Sequence, residues 1–426
     1  MSAFEERAPS KMPELSAEGV QATLEEIVAF GNRFAGTSGE QRCLEYLTSS
    51  SALGGAPDLV VEEFKYQGYN AGPTTCELVD ARVSLPCTPL QGTASGIVEA
   101  PAVYLGAGEP DDVEHVEQQG ISLAGKIVVM HSFLPFFAGP RLASKGIAGL
   151  VNIGETPDGV VGHFTARLYP SALEPPWDDR VLPFPGVTVE AQAGRQLVRT
   201  ISSAEATLKL EHGGSHDVKT SANVIATIPG EVAPEESVVI AAHYDTQFEG
   251  PGAWDNTSGL AVLIELSKRW RDIKPPRSVV LLASGVEELG LWGSQAYVAA
   301  RPDARKIVGM VTLDGLGLPL NASHCVYADD GMMEFAWDSV ARAGWTPERK
   351  VDAAALLFAD YAPFIDADIP SCWLFPHPPQ HPYYHSVRDT LQFVDNTRLM
   401  EVAHATGYVG YRLAYAPQPP QAETRA

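Results

Sequence analysis

In the C-terminal half of the chain, short and almost continuous apolar runs alternate with longer stretches of helical periodicity. Apolar runs of this kind are typical of parallel strands that are buried on both faces and covered by helices. Four runs are predicted to be such strands, at residues 238–242, 278–283, 307–313 and 371–375. A helix over 259–270, with capping candidates just before it, is predicted between the first two. The predicted fold class is α/β, with a mostly parallel sheet flanked by helices.

The N-terminal half changes character along its length. Helices are predicted at 24–30 and after Gly36, where Ser38 and Gln41 have the spacing of a capping box. Beyond about Gln91, short β-like runs are separated by Gly and Pro, and this pattern ends near His212. We therefore predict a discontinuous α/β domain at 1–92 and 213–416, an inserted β-rich domain at 93–212, and a disordered tail at 417–426.

Charge and composition exclude several classes of partner. The 426 residues include 30 Lys plus Arg and 53 Asp plus Glu, a net charge of −23, which repels nucleic acid and anionic membranes. The five cysteines form no CxxC pair and are predicted to be reduced, buried thiols. Residues 1–15 lack the apolar run of a secretory signal, and no stretch approaches the roughly 20 apolar residues of a membrane helix. The predicted location is cytoplasmic.

Ionisable residues follow the predicted strands at their carboxyl ends. They are His243, the pair Glu287 and Glu288, Asp314 and, farther downstream, His385. Because the carboxyl ends of parallel strands line one crevice, we expect these side chains to meet there.

The residue types indicate a catalytic metal site. Asp255 precedes a predicted helix, whose N-terminal dipole favours a carboxylate. Imidazole and carboxylate ligands suit zinc, manganese, cobalt or iron, and the lack of cysteine ligands argues against a purely structural site. The adjacent acids Glu287 and Glu288 place two negative charges close together. A bound metal ion would explain this arrangement, because its positive charge offsets their repulsion.

The order of these motifs resembles the zinc aminopeptidase family with co-catalytic metal ions, which includes bacterial leucyl aminopeptidases and aminopeptidase Y. The motifs that carry the resemblance lie at residues 243–245, 254–259, 287–290, 313–315, 384–386 and 389–390. Residues 33–40 are similar to the opening motif of that family. Residues 125–129 and 145–151 resemble the protease-associated domain that is often inserted in these enzymes.

The resemblance implies a role for each motif residue. It makes Asp255 a carboxylate that bridges two metal ions. His243 and Asp314 then bind one ion, and Glu288 and His385 bind the other. Glu287 becomes the general base, and Asp245 orients His243. The implied cofactor is one or two divalent ions, zinc or manganese.

The substrate is less defined by the sequence than the metal site. Asp360 and Tyr361 match a family segment near the substrate in which His often stands at the position of Tyr361. Arg388 could bind a substrate carboxylate, although a surface ion pair is the common fate of such a residue. A reaction that uses Glu287 as general base to release an amine can act on a small peptide or on a small-molecule amine, and both are expected substrates.

The sequence is compatible with three functions. The first is an aminopeptidase. The second is an aminohydrolase that deaminates an aromatic amine, as in the 5-nitroanthranilate branch, which Tyr361, a Pro- and His-rich loop at 376–384 and the missing export signal favour. The third is an inactive binding module, against which the retained ligands argue. The inserted domain offers a surface for a homo-oligomer.

Overall fold

The computed structural model describes residues 4, 11–167, 173, 175, 177, 180–303, 306–318, 323–377 and 381–421. The chain folds into two compact units, each of which is discontinuous in sequence. The first unit comprises Met1–Phe64, Thr220–His381 and Asp389–Ala426, and the second comprises Lys65–Lys219 and Pro382–Arg388.

The described residues form strands and helices in the following order. The strands are β1 (Asp58–Asn70), β2 (Thr74–Leu78), β3 (Val83–Leu85), β4 (Cys87–Gln91), β5 (Gly96–Tyr104), β6 (Ile127–Met130), β7 (Gly149–Ile153), β8 (Phe164–Thr165), β9 (Gly186–Val189), β10 (Thr207–His212), β11 (Ser215–Ile228), β12 (Ala233–His243), β13 (Arg277–Ser284), β14 (Ile307–Thr312), β15 (Ser323–Ala328), β16 (Arg349–Asp352) and β17 (Ser371–His377). The helices are α1 (Ala17–Val28), α2 (Ser38–Leu47), α3 (Pro110–Gln118), α4 (Gly139–Ser144), α5 (Ala191–Ser203), α6 (Ser258–Trp270), α7 (Trp292–Ala299), α8 (Asp330–Arg342), α9 (Ala362–Asp366) and α10 (Asn396–Tyr415).

The first unit is built on a sheet with the strand order β1-β11-β13-β12-β14-β17-β15-β16. Its four central strands, β13, β12, β14 and β17, are parallel to one another and correspond to the four predicted apolar runs. Strand β11 is antiparallel to β13, and β15 is antiparallel to β17. Every residue of β13 and β14 is buried, as expected for strands covered on both faces. The predicted α/β fold class is confirmed.

Helix α6 follows β12 and begins one residue before the predicted start. Residues 258–267 and Trp270 are buried, so most of its surface lies in the core. Helix α2 also differs from the prediction at its start. Thr37, and not Ser38, is the N-cap, because Thr37 has an extended backbone and its side chain accepts a hydrogen bond from the amide of Glu40. Ser38 is the first helical residue.

The second unit has its own sheet, with the order β3-β2-β10-β5-β6-β7-β9-β4-β8. Strands β5, β6, β7 and β9 are parallel, and two apolar clusters form the core of the unit. The main segment of the unit extends from Lys65 to Lys219, whereas the predicted insertion covers 93–212. Strands β2 to β4 lie in this sheet because β2 pairs with β10 and β4 pairs with β9.

Other predictions concern the cysteines and the polar segments. The five cysteines are free thiols, of which four are buried and Cys87 is partly exposed. Residues 422–426 of the predicted tail and 378–380 of the Pro- and His-rich loop lie outside the described residues. Among the described helices, none combines the length and apolarity needed to cross a membrane.

Candidate metal centre

The candidate site lies in the first unit, at the carboxyl ends of its central strands. His243 is the last residue of β12 and pairs in register with Ser284, the last residue of β13. The turn after β13 carries Glu287 and Glu288, and Asp314 follows two residues after the end of β14. The parallel arrangement therefore brings these side chains to one edge of the sheet, as the sequence predicted.

The buried imidazole of His243 is the centre of the cluster. Its Nε2 atom is 3.1 Å from Oδ1 of Asp255 and 3.5 Å from Oδ1 of Asp314. Ligand atoms of His243, Asp255 and Glu288 lie within 4.8 Å of one another, as do those of His243, Glu287 and Asp314. Nε2 is therefore buried and faces these carboxylates. An imidazole nitrogen turned toward several carboxylates is the donor set of a divalent zinc or manganese ion.

Asp389 fixes the backbone that carries Asp255. Its carboxylate accepts hydrogen bonds from the amides of Trp254 (Oδ1, 2.9 Å) and Asp255 (Oδ2, 3.0 Å). Its carbonyl oxygen accepts one from the amide of Ala253 at 3.2 Å. Nε2 of His381 lies 3.1 Å from Oδ1 of Asp389. In the sequence, Asp389 is recognisable only as part of a motif, because no local spacing connects it to Asp255.

Asp245 positions three members of the cluster. Nδ1 of His243 is 3.2 Å from the carbonyl oxygen of Asp245 and 3.6 Å from its Oδ1 atom, so His243 can keep Nε2 free for a metal ion. The two carboxylate oxygens of Asp245 accept hydrogen bonds from the amides of Glu287 (3.0 Å) and Glu288 (3.1 Å). The implied role of Asp245 toward His243 thus extends to both glutamates.

The electrostatics of the cluster follow from the crowding of buried carboxyl groups. Burial raises the pKa of Glu287 well above its ordinary value, and the charges of Glu288, Asp314 and Asp360 add to this effect while His243 opposes it. Burial also raises the pKa of Asp314 to about 6. Burial alone would lower the pKa of His243, but the charge of Glu287 and hydrogen bonds to the aspartates outweigh it and raise that pKa. A divalent cation would relieve this repulsion.

Asp360 and Tyr361, the predicted substrate contacts, are buried side chains of the first unit. Asp360 accepts a hydrogen bond of 2.5 Å from Oγ of Ser284, the register neighbour of His243. The hydroxyl of Tyr361 donates to the carbonyl of Leu356, and its ring centroid is 5.8 Å from that of Trp373. Contact of either residue with a substrate stays a prediction.

His385 and Arg388 lie in the segment of the second unit at Pro382–Arg388. Nδ1 of His385 is 3.1 Å from the carbonyl oxygen of His163, and its ring lies 5.5 Å from that of Phe164. Among the described residues, neither group of converging ligand atoms includes His385, so its part in metal binding stays a prediction. Arg388 is half-exposed and pairs with Asp158 at 3.3 Å, a surface ion pair.

Comparisons with known proteins agree with this site. Residues 223–409 match the model of peptidase family M28. Aminopeptidase YwaD of Bacillus subtilis is 28% identical over 231 residues, which cover 51% of this chain and 49% of that protein. The probable lipoprotein aminopeptidase LpqL of Mycobacterium tuberculosis is 27% identical over 430 residues, which cover 91% of this chain and 80% of that protein.

A solved structure, BSAP, described as a zinc aminopeptidase from Bacillus subtilis, has a TM-score of 0.70 to this chain. The superposition covers 94% of this chain and 96% of that one at 20% identity, which establishes the shared fold. The chain spans about half the length of YwaD. Residues 223–409 contain the strands β12 to β17 and every residue of the buried cluster. Over residues 223–409, which contain the candidate metal site, the chain is therefore similar to peptidase family M28.

Proposed function

We propose that this protein is a divalent-metal-dependent aminopeptidase that removes N-terminal residues from small peptides. The observation that carries the proposal is the buried Nε2 atom of His243, which faces the carboxylates of Asp255 and Asp314. The similarity of residues 223–409 to peptidase family M28 supports a peptide substrate, and YwaD and LpqL bear aminopeptidase names.

The residues that would hold one or two metal ions are His243, Asp255, Glu288 and Asp314, with His385 as the remaining predicted ligand. Zinc is the favoured ion, since the structurally similar BSAP is described as a zinc enzyme. Such an ion, when bound, polarises the scissile carbonyl and lowers the pKa of water from about 15.7 toward 7.

Glu287 performs the proton transfers of the proposed reaction. Its backbone is fixed by the hydrogen bond to Asp245, and its side chain is partly exposed and so open to a substrate. The carboxylate accepts a proton from the attacking water, whose oxygen forms the new bond to the carbonyl carbon. The C–N bond then breaks, and Glu287 gives the proton to the departing amine.

Two other readings of the site are outcomes of the test. Deamination of an aromatic amine would use the same general base and the same metal ligands. An inactive module would use neither the base nor the ligands for catalysis. The comparisons favour neither of these readings. A cytoplasmic location, self-association and the protease-associated identity of the second unit also stay predictions.

The experiment measures amine release by purified protein that has been stripped of metal and then supplied with zinc or manganese. Aminoacyl chromogenic compounds are compared with their N-acetylated forms and with amino- and nitro-substituted aromatic acids. Glu287→Gln should lower the rate by about 10²–10⁴-fold, as expected for a general base. Glu63→Gln, a change on the exposed part of β1, is the matched control and should leave the rate unchanged.

Each result has a distinct meaning. Metal-dependent cleavage of the free aminoacyl compounds, with their acetylated forms resistant, would support the aminopeptidase. Release of amine from aromatic acids alone would replace that proposal with the aminohydrolase. If the metal-loaded protein releases amine from no compound of the panel, the inactive module would be favoured.

A further inference from the structure

Arg33 is a fully buried arginine whose hydrogen bonds go to neutral acceptors. Its Nε donates to the carbonyl of Tyr244 (2.9 Å) and its Nη1 to that of Pro251 (2.8 Å). Its Nη2 donates to Oγ1 of Thr257 (2.7 Å) and to the carbonyl of Gly252 (3.3 Å). Burying a guanidinium is costly, and burial lowers the pKa of Arg33. A buried guanidinium whose hydrogen bonds go to neutral acceptors therefore needs a structural explanation.

The acceptors of Arg33 lie at both ends of one segment of the candidate metal site. This segment, residues 244–257, connects the end of β12 to the start of α6. Tyr244 directly follows His243, while Gly252 and Thr257 flank Asp255 on either side. The amide of Arg33 also donates to Oγ1 of Thr246, at 3.0 Å. One side chain therefore connects the backbone next to His243 with the backbone around Asp255.

The charge of Arg33 is compensated by groups of the same site. The negative charges of Asp245, Asp389 and Asp255 favour its charged form and oppose the effect of burial. The same guanidinium charge lowers the repulsion among these carboxylates. A lysine at this position could supply the positive charge that offsets the carboxylates, but it could not make the four hydrogen bonds of the forked guanidinium.

We propose that Arg33 is a positioning residue of the metal site. Its guanidinium holds segment 244–257 in the conformation that keeps Nε2 of His243 within 3.1 Å of Asp255. This inference rests on the metal site of the proposed function. It assigns to Arg33 no contact with the metal ion or the substrate.

Arg33→Lys is the informative substitution, because it keeps the charge and removes the fork. A single ammonium group cannot reach acceptors at both ends of the segment. Loss of a partner that orients metal ligands lowers metal affinity by about 10–100-fold, which is the decrease expected here for zinc. In the metal-free protein, the amides of 253–255 and Thr257 should exchange faster with solvent, because their hydrogen bonds depend on the same conformation.

Arg277→Lys is the matched control. Arg277 is also buried, and it donates to Glu236 (2.5 Å) and to the carbonyls of Leu413 (3.2 Å) and Ala416 (2.5 Å). None of these described partners lies in segment 244–257. The control should lose stability while its zinc affinity and the exchange of that segment stay as in the wild type.

Zinc affinity is measured by competition with a chromophoric chelator, and amide exchange is measured by mass spectrometry on the metal-free chain. The inference is overturned if Arg33→Lys binds zinc as tightly as the wild type, or if Arg277→Lys shows the same loss. A wild-type chain that binds no zinc would instead overturn the proposed function, and normal exchange in metal-free Arg33→Lys would overturn the positioning role separately. If Arg33→Lys does not fold, Thr257→Val removes one acceptor and should give the same two changes at smaller size.

Discussion

Asp389 holds the amides of two consecutive residues, one of which is the predicted bridging ligand Asp255. In Asp389→Asn the side chain keeps its shape but offers only one acceptor oxygen, and its other polar atom becomes an NH₂ donor. Either the amide of Trp254 or that of Asp255 then loses its acceptor and faces another donor. Both amides are buried, so water cannot replace the lost oxygen.

The expected cost follows from these two contacts. A hydrogen bond to a charged group contributes about 1.5–3 kcal/mol, and a buried donor without an acceptor costs about 1–3 kcal/mol. These two costs overlap, so we expect the free energy of unfolding to fall by about 2–4 kcal/mol. In the metal-free protein, loss of one negative charge would offset part of this cost by reducing carboxylate repulsion. The zinc-saturated protein is therefore the correct sample.

The assay is urea unfolding of zinc-saturated wild type and variants. Asp395→Asn is the control, because Asp395 is the N-cap of α10 and accepts a hydrogen bond from the amide of Arg398 at 3.0 Å. Asn caps a helix about as well as Asp, so this change should cost less than about 0.5 kcal/mol. Equal unfolding midpoints for the two variants would refute the role of Asp389.

Two further predictions test the core and the pH dependence of stability. Ile240→Ala, at a fully buried position of strand β12, should lower the free energy of unfolding by about 2–5 kcal/mol, whereas Ile97→Ala at an exposed position should change it by less than about 0.5 kcal/mol. Similar losses for the two variants in urea unfolding would contradict this prediction. Burial lowers the pKa of His216 to about 4, below its unfolded value near 6.5, so stability present above pH 6.5 should be lost as the pH falls toward 4. His216→Gln should reduce this loss when unfolding midpoints are compared across that range, and an unchanged pH dependence would exclude His216 as its source.

Local sequence was sufficient for the central sheet and for most of the site. The four apolar runs could be identified because strands buried on both faces need apolar side chains at every position. Their parallel pairing then placed His243, Glu287, Glu288 and Asp314 at one edge. The sheet to which β2 to β4 belong could not be identified in this way, because their mixed burial gives no continuous apolar pattern.

The environment of individual polar residues could not be predicted in this way. The hydrogen bond of Asp360 with Ser284, a residue 76 positions away, leaves no local pattern in the sequence. Cap positions shift as well, since Thr37 replaces Ser38 as the N-cap of α2 through backbone geometry that both residues could adopt.

The sequence by itself determined which segments become buried strands, which ionisable residues follow them, and which family their order resembles. The tertiary structure alone decided how those residues are held. Arg33 binds the carbonyl of a residue 211 positions away, and Asp389 binds the amide of Asp255 across 134 positions. The physical reason is that a buried amide or carbonyl needs a partner wherever the fold can supply one, and partners so distant leave no periodicity or spacing in the sequence.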